Sequence, residues 1–519
     1  MPSCGQRLPT TFAVVWLTAF VLAGSVSAQA PQTTKAARAL TNLQTQHRDA
    51  HRRFGDALER IAQTCEERGL DEIPAQIRRM AKPVDPDVLR FEPLPRSIQP
   101  PIPADLPDEE LQWRMQLREQ RKDYAQKLDL LAQNAVKAGH PSYAFQLIRE
   151  AASHDTDHAR ARRLLGFVRH KDEWVSAFEK LKLEKNEVWT DQFGWLPAAH
   201  VARYERGERL FEGRWISAEK EAALRQDFRK GWDIRTEHYL LRTNHSLERG
   251  VALASALEEF QRFFHQTFAA FFDNPAQIQK LFANATVPGR ALGKPFEVHF
   301  YRSRDEYIAR LVGMDKYKRE IVEISNGVYD TDDRVVYTFQ SPAQSAETTL
   351  YHEATHQMLA AHLKPSPVIA DRANFWLIEG IACYIESYQK QNGQVSLGDP
   401  KFLRFETARH RFLVDQYYLP LSEFTKMGKD AFQAHPHIQN NYSQAAGLVH
   451  FFMHDHGGRY RDNLIEHLRQ LYAQAERPRD AVETLAELSG VEFPELDQQY
   501  AEYVRTLSQA LGEDFASPK

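Results

Sequence analysis

Residues 348–362 read TTLYHEATHQMLAAH, and the run His352-Glu353-Ala354-Thr355-His356 holds the residue types of a hydrolytic zinc centre. Two histidines four positions apart on a helix are offset by about 40° and about 6 Å along its axis, so both imidazoles can reach one tetrahedral ion. Glu353 points to the side of that pair, where it can take a proton from a water that the metal activates. The helix itself is well specified. Ser341-Pro342-Ala343-Gln344 sets serine at the N-cap, proline at N1 and glutamine at N3, and no breaker follows until Lys364-Pro365.

A third ligand must come from elsewhere. His362 stands at the spacing of an HExxHxxGxxH pattern, but that pattern needs glycine three residues after the second histidine. Leu359 occupies the position, among the strong helix formers Gln-Met-Leu-Ala-Ala. On a continuing helix His362 lies about 9 Å beyond His356 and about 120° around from it, so the two cannot share an ion. A better candidate lies in FWLIEGIACYIESY (375–388), an amphipathic helix carrying Glu379 among Trp376, Leu377, Ile378 and Ile381. An acid there is costly to bury unless it is paired or bound to metal. Gly380 and Ala382 are small enough to let this helix approach the first closely. Glu386 is the rival ligand, on the same face as Glu379 but two turns, about 10 Å, away. At that distance its role would be to hold a histidine Nδ–H.

HEATH followed by WLIEGIACYIE resembles the gluzincins of the MA clan, zinc peptidases with HExxH on one helix and a glutamate ligand on the next. The Trp-Leu-x-Glu-Gly-x-Ala run is similar to their aminopeptidase-like branch. The resemblance implies His352, His356 and Glu379 as ligands of one Zn2+ and Glu353 as the base. It covers roughly 233–510, where the order of long helix, alternating strand, Gly-x-Tyr hairpin, HExxH and WLxEGxA is similar to a largely uncharacterised bacterial peptidase-like family. The gap of 22 residues between His356 and Glu379 is at the long end for gluzincins, and the loop 364–374 absorbs the excess, placed to line the cleft. NNYSQAAGLVHFFMHDHGG (440–458) resembles the late helix of these enzymes whose tyrosine faces the metal. That implies Tyr442 as a donor to the oxyanion of the tetrahedral intermediate, against the competing reading of a core or surface tyrosine at a helix start. His450 and His454 have no accompanying acid and read as helix-face histidines, as do His435 and His437. No GxMxN-type motif for recognising an N-terminal amine is present.

The elements that must position these residues begin near 232. DIRTEHYLLRTN (233–244) reads as a strand, LERGVALASALEEFQRFFHQTFAAFF (247–272) as an amphipathic helix and PFEVHFYRS (295–303) as a half-buried strand. NGVYD (326–330) and RVVYTFQ (334–340) read as a hairpin leading into the motif helix, which would lie behind the sheet. The expectation is a helix-rich α+β fold, with a zincin-like metallopeptidase domain of mixed sheet and active-site helices at 232–510 and a tail at 511–519.

Upstream, 29–107 combines a polar helical segment with the proline-rich stretch 82–107, which reads as a linker or a strap over the surface. Residues 108–170 hold a single helix pair that resembles a tetratricopeptide unit, turning at Gly139-His140-Pro141. One unit cannot stack into a groove, so it reads as a packed hairpin or a surface for a protein partner. Residues 171–231 form a small tryptophan-anchored unit in which HKDEWVSAFEK and EGRWISAEKE echo each other.

Composition supports sizeable cores, with 42% hydrophobic and 11% aromatic residues. A formal charge of −4, with basic residues interspersed among acidic ones, gives no bulk attraction to nucleic acid. Arg7, the apolar run 11–24 and the small residues Val26 and Ala28 fit a signal peptide (1–28), too short to span a bilayer. Cys65 and Cys383 make no disulfide framework. The expected protein is an exported bacterial zinc metallopeptidase, periplasmic or secreted. It would act on peptides or proteins and have no stable membrane insertion. The alternative is a non-catalytic, peptidase-like binding module of the cell envelope.

Overall fold

The computed structural model describes residues 35–81, 88–286, 294–341, 346–363, 370–473, 482–513 and 515. The expected leader, the motif-helix cap at 342–345 and the cleft loop at 364–369 lie outside these residues. Helices dominate, and the sheets are small and mixed, giving a helix-rich α+β fold. Among the described residues no helix is long and apolar enough to cross a membrane.

The N-terminal layer comprises α1 (Lys35–Glu67), α2 (Ile73–Met80), β1 (Leu89–Phe91), α3 (Asp108–Lys137), α4 (Pro141–His154) and α5 (Ala159–Leu164). Gly139 takes φ +87° and Pro141 opens α4, so the Gly-His-Pro turn joins α3 and α4 antiparallel. The helix preceding that turn runs for 30 residues, and α1 packs along it as a third member. Leu58, Leu128, Leu147 and Ile148 form their shared core, which also takes Ile278 and Phe282 from downstream. The proline-rich stretch is a strap. Its β1 pairs with a strand some three hundred residues later, Leu89 opposite Leu397 and Phe91 opposite Val395.

Residues 167–224 differ from the expected short strands and turns, because each hairpin carries a helix. Three hairpin–helix units follow one another: β2 (Phe167–His170), β3 (Glu173–Ser176) and α6 (Ala177–Glu184); β4 (Glu187–Thr190), β5 (Gly194–Pro197) and α7 (Val201–Glu205); β6 (Glu208–Phe211), β7 (Arg214–Ser217) and α8 (Ala218–Leu224). Trp174, Trp195 and Trp215 hold the same strand position, and Ser176 and Ser217 cap the helices that follow.

The stretch expected as one strand at 233–244 is a hairpin, β8 (Trp232–Arg235) and β9 (Tyr239–Thr243), because Thr236 and Tyr239 bond across a turn. Then come α9 (Leu247–Thr267), α10 (Ala269–Phe272), α11 (Pro275–Asn284), β10 (Phe296–Tyr301), α12 (Arg304–Val312), α13 (Arg319–Val322), β11 (Gly327–Asp330) and β12 (Val335–Phe339). The sheet order is β11-β12-β10-β9-β8, with β9, β10 and β12 parallel and both edges antiparallel. Every residue of β12 is buried, as expected for a strand covered on both faces. Val335, Tyr337 and Phe339 face a cluster with α12, while Val336 joins the main core with α9 and α14 (Ala346–Leu363).

Behind the sheet stand α14 and α15 (Phe375–Ile385), then the hairpin β13 (Gln389–Gln391) and β14 (Gln394–Leu397) that receives β1. The remaining helices are α16 (Leu403–Leu413), α17 (Leu421–Phe424), α18 (Lys429–Gln433), α19 (Ile438–Gly458), α20 (Arg461–Tyr472), α21 (Leu485–Ser489) and α22 (Phe493–Leu511). Ten of the eleven α15 residues are buried, with Glu379 the exception. Burying each large apolar side chain contributes about 1.5–3 kcal/mol, so the position of this helix is firmly set.

Candidate metal centre

Helix α14 runs unbroken through Leu359 to Leu363, and Leu359 is fully buried. His362 therefore stays at the helix end, its ring against Phe271 and Phe272. His352 and His356 lie one turn apart with their Nε2 atoms 3.3 Å from each other. Helix α15 brings Glu379 to the same point, its carboxylate 3.8 Å from His352 Nε2 and 4.0 Å from His356 Nε2.

Those separations suit a metal. Ligand atoms around a tetrahedral zinc stand about 3.3 Å apart when the bonds are about 2.0–2.1 Å. The two nitrogens are already at that spacing, and a side-chain rotation of Glu379 would close the remainder. The donor set of two imidazoles and one carboxylate leaves a fourth position for water or substrate.

Gly380 does not serve the approach of α15 to α14. A Cβ there would come within 2.9 Å of Val449 and 3.0 Å of the Ala445 carbonyl, so its smallness lets α15 press on α19. The start of α15 is pinned differently: the Asn374 and Phe375 amides donate to the carbonyls of Thr425 and Met427.

Around the three donors lies a ring of supporting groups. Glu386, at the C-cap of α15, accepts from His352 Nδ1 at 2.9 Å and is clamped by Arg404 of α16 through two bonds of 2.6 Å. This bond takes up the Nδ1 proton and leaves Nε2 as the nitrogen turned to the shared point. Glu353 lies beside the trio, and its Oε2 accepts from the Tyr329 amide of β11 at 2.7 Å. The backbone can come so close because residue 327 is glycine: a Cβ there would meet Thr349 at 2.7 Å and Glu353 at 3.2 Å. Tyr442 of α19 turns its hydroxyl to Glu379, and its ring stands edge-on to Phe432 at 5.2 Å.

Burial and mutual charge set the protonation. Burial disfavours imidazolium at His352, but the Glu386 bond and the charges of Glu353, Glu386 and Glu379 overcome it and raise the pKa to about 9. Burial and the His352 charge together push His356 down to about 3. Burial also raises Glu353, against the opposing pull of His352 and the Tyr329 amide. Glu379 is raised by burial too, opposed by His352 and Lys429. Glu386 goes the other way: burial is outweighed by His352 and Arg404, and it stays ionised.

Two other groups of donor atoms fall within 4.8 Å of one another among the described residues. One adds Cys383 to His352 and Glu386, but the Glu386 carboxylate is already taken by His352 Nδ1 and by Arg404. The other is Glu237, His238 and Glu258. His450 and His454, expected on a helix face, are core residues: His450 bonds the Gly398 carbonyl and the Tyr503 hydroxyl, and His454 bonds Tyr384. Sequence reasoning missed Arg404, the Tyr329 amide and Lys429. A long-range partner leaves no local pattern, and a backbone donor leaves none at all.

Compared with known proteins, the chain matches no family model, no curated protein and no solved structure.

Proposed function

We propose that this protein is a zinc-dependent peptidase with His352, His356 and Glu379 as ligands and Glu353 as general base. One observation carries the reading: two imidazole nitrogens and a carboxylate converge at 3.3–4.0 Å beside a half-buried, backbone-held glutamate. An ion held there would supply Lewis-acid polarisation of the scissile carbonyl and of the attacking water. Glu353, with one oxygen occupied by the Tyr329 amide, uses the other to take the water's proton and pass it to the departing amine. Tyr442, whose phenol burial keeps protonated, donates to the developing oxyanion. Glu386 and Arg404 keep His352 oriented throughout.

The leader-like N-terminus supports export to the periplasm or beyond, and the N-terminal helices would position a peptide or protein substrate or a protein partner. The test is metal analysis of the wild type beside His356→Ala and Glu379→Gln, with Glu353→Gln assayed on unfolded protein substrates. Absence of zinc from the wild type defeats the reading. Zinc without Glu353-dependent hydrolysis favours a peptide-binding module of the cell envelope.

A further inference from the structure

Between α2, α3 and the strap lies a cavity of about 190 Å³, far from the candidate metal centre in sequence. Its size exceeds the cavity of about 150 Å³ that takes up benzene in an engineered apolar core. Ile77, Trp113 and Leu117 give it an apolar wall, while Arg114, Arg118 and Arg121 line the same α3 face at helical spacing. Among the described residues no aspartate or glutamate lines it.

The three guanidiniums are unequally served. Arg114 donates to Glu110 at 2.9 Å and lies over the Trp113 ring. Among the described residues Arg118 donates only to the Pro100 carbonyl, at 2.8 Å, and Arg121 only to the Ser153 carbonyl, at 2.8 Å. The Arg121 Nε and the Trp113 Nε1 are both buried and have no acceptor among the described residues. Asp155 acts on Arg121 through space without forming an ion pair, and burial lowers the pKa of Arg121. Arg118 and Arg121, about one helical turn apart, each carry guanidinium N–H groups beyond the one bonded to a carbonyl, and a carboxylate is the anion that such donors receive best.

We propose that this cavity binds a small acid with an apolar body, its carboxylate received by the guanidiniums of Arg118 and Arg121. The hydrocarbon part lies against Ile77 and Leu117. A medium-chain acyl acid and an N-acylated apolar amino acid both carry this chemistry.

The test is titration calorimetry on the full chain with octanoate and N-acetyl-leucine, each beside its uncharged amide. The same titrations are run on Arg121→Met and Arg118→Met, with thermal melts to establish folding. At least one acid should bind saturably at one site, its amide about tenfold or more weaker, and Arg121→Met should weaken the acid about tenfold. Should Arg121→Met fail to fold, Arg118→Met carries the comparison, with a smaller loss of the same sign. Binding of octanoate alone marks an acyl ligand and of N-acetyl-leucine alone an amino-acid ligand. Binding of both supports the shared chemistry. Three results overturn the proposal: no saturation by either acid below about 10 mM, amides binding as tightly as acids, or acid binding unchanged in the folded variants.

Discussion

Among the described residues, the group of Glu237, His238 and Glu258 and the group of His352, His356 and Glu379 are built from the same residue types at similar spacing, and they differ in where their donor atoms point. In the group of Glu237, His238 and Glu258, the imidazole Nδ1 meets Glu258 at 2.5 Å, and the His238 amide meets the other carboxylate oxygen at 3.0 Å. That pair is closed on itself and joins the β8–β9 turn to α9. In the group of His352, His356 and Glu379 the imidazoles stand 3.8 and 4.0 Å from the carboxylate, and His352 bonds outward through a different carboxylate, Glu386. The free faces converge. The contrast teaches that proximity of ligand types is not enough: what matters is whether the candidate carboxylate is already bonded to the histidine's Nδ1, as Glu258 is, or faces its Nε2, as Glu379 does.

The largest break in the comparison is at a ligand. His356→Ala or Glu379→Gln should reduce zinc in the purified protein from about one ion per chain to a small fraction, while His238→Ala leaves it unchanged. Elemental analysis of the three variants reads this directly, and zinc loss in His238→Ala would reverse the ranking of the two groups. Next comes Glu353→Gln. It should keep its zinc and lose hydrolysis of an unfolded protein by about 10²–10⁴-fold, the usual contribution of a positioned base.

How much of this was legible differs along the chain. HEATH was readable because residues four apart on a helix must share a face, and Leu359 argued the helix onward past His362. Glu379 could be singled out because an acid in a run of Trp, Leu and Ile must be compensated. Arg404 could not, since eighteen residues and a β-hairpin separate it from Glu386. The three hairpin–helix units of 167–224 were half visible, through Trp174 and Trp215. Their helices are only five to eight residues long, too short for a helical period to emerge. The β8–β9 turn was hidden because Thr236-Glu237-His238 contains neither glycine nor proline, and its geometry rests on the Thr236 hydroxyl.

The supports of the candidate centre give a sharper, smaller effect. Glu386→Gln should weaken zinc binding about 10–100-fold in chelator competition, and Arg404→Met by less, because Glu386 would keep its bond to His352. Equal zinc affinity in Glu386→Gln and wild type would mean that the outward bond does not orient the ligand.

The smallest effect belongs to the closed pair, and it should appear in stability alone. Burial works to raise the Glu258 pKa, but the His238 side-chain and backbone bonds, with the charge of Arg262, hold it below the ordinary value. A carboxylate depressed by folding contributes stability that is fully present above its unfolded pKa near 4.5 and is lost as pH falls through the folded value. Glu258→Gln should therefore cost about 1–3 kcal/mol in denaturant unfolding at neutral pH. That deficit should shrink as the buffer is taken below the carboxylate range, where wild-type Glu258 is protonated too. Zinc content should not move. A deficit that stays constant into acid would assign the effect to packing of the Glu258 side chain and remove the charge from the account of this pair.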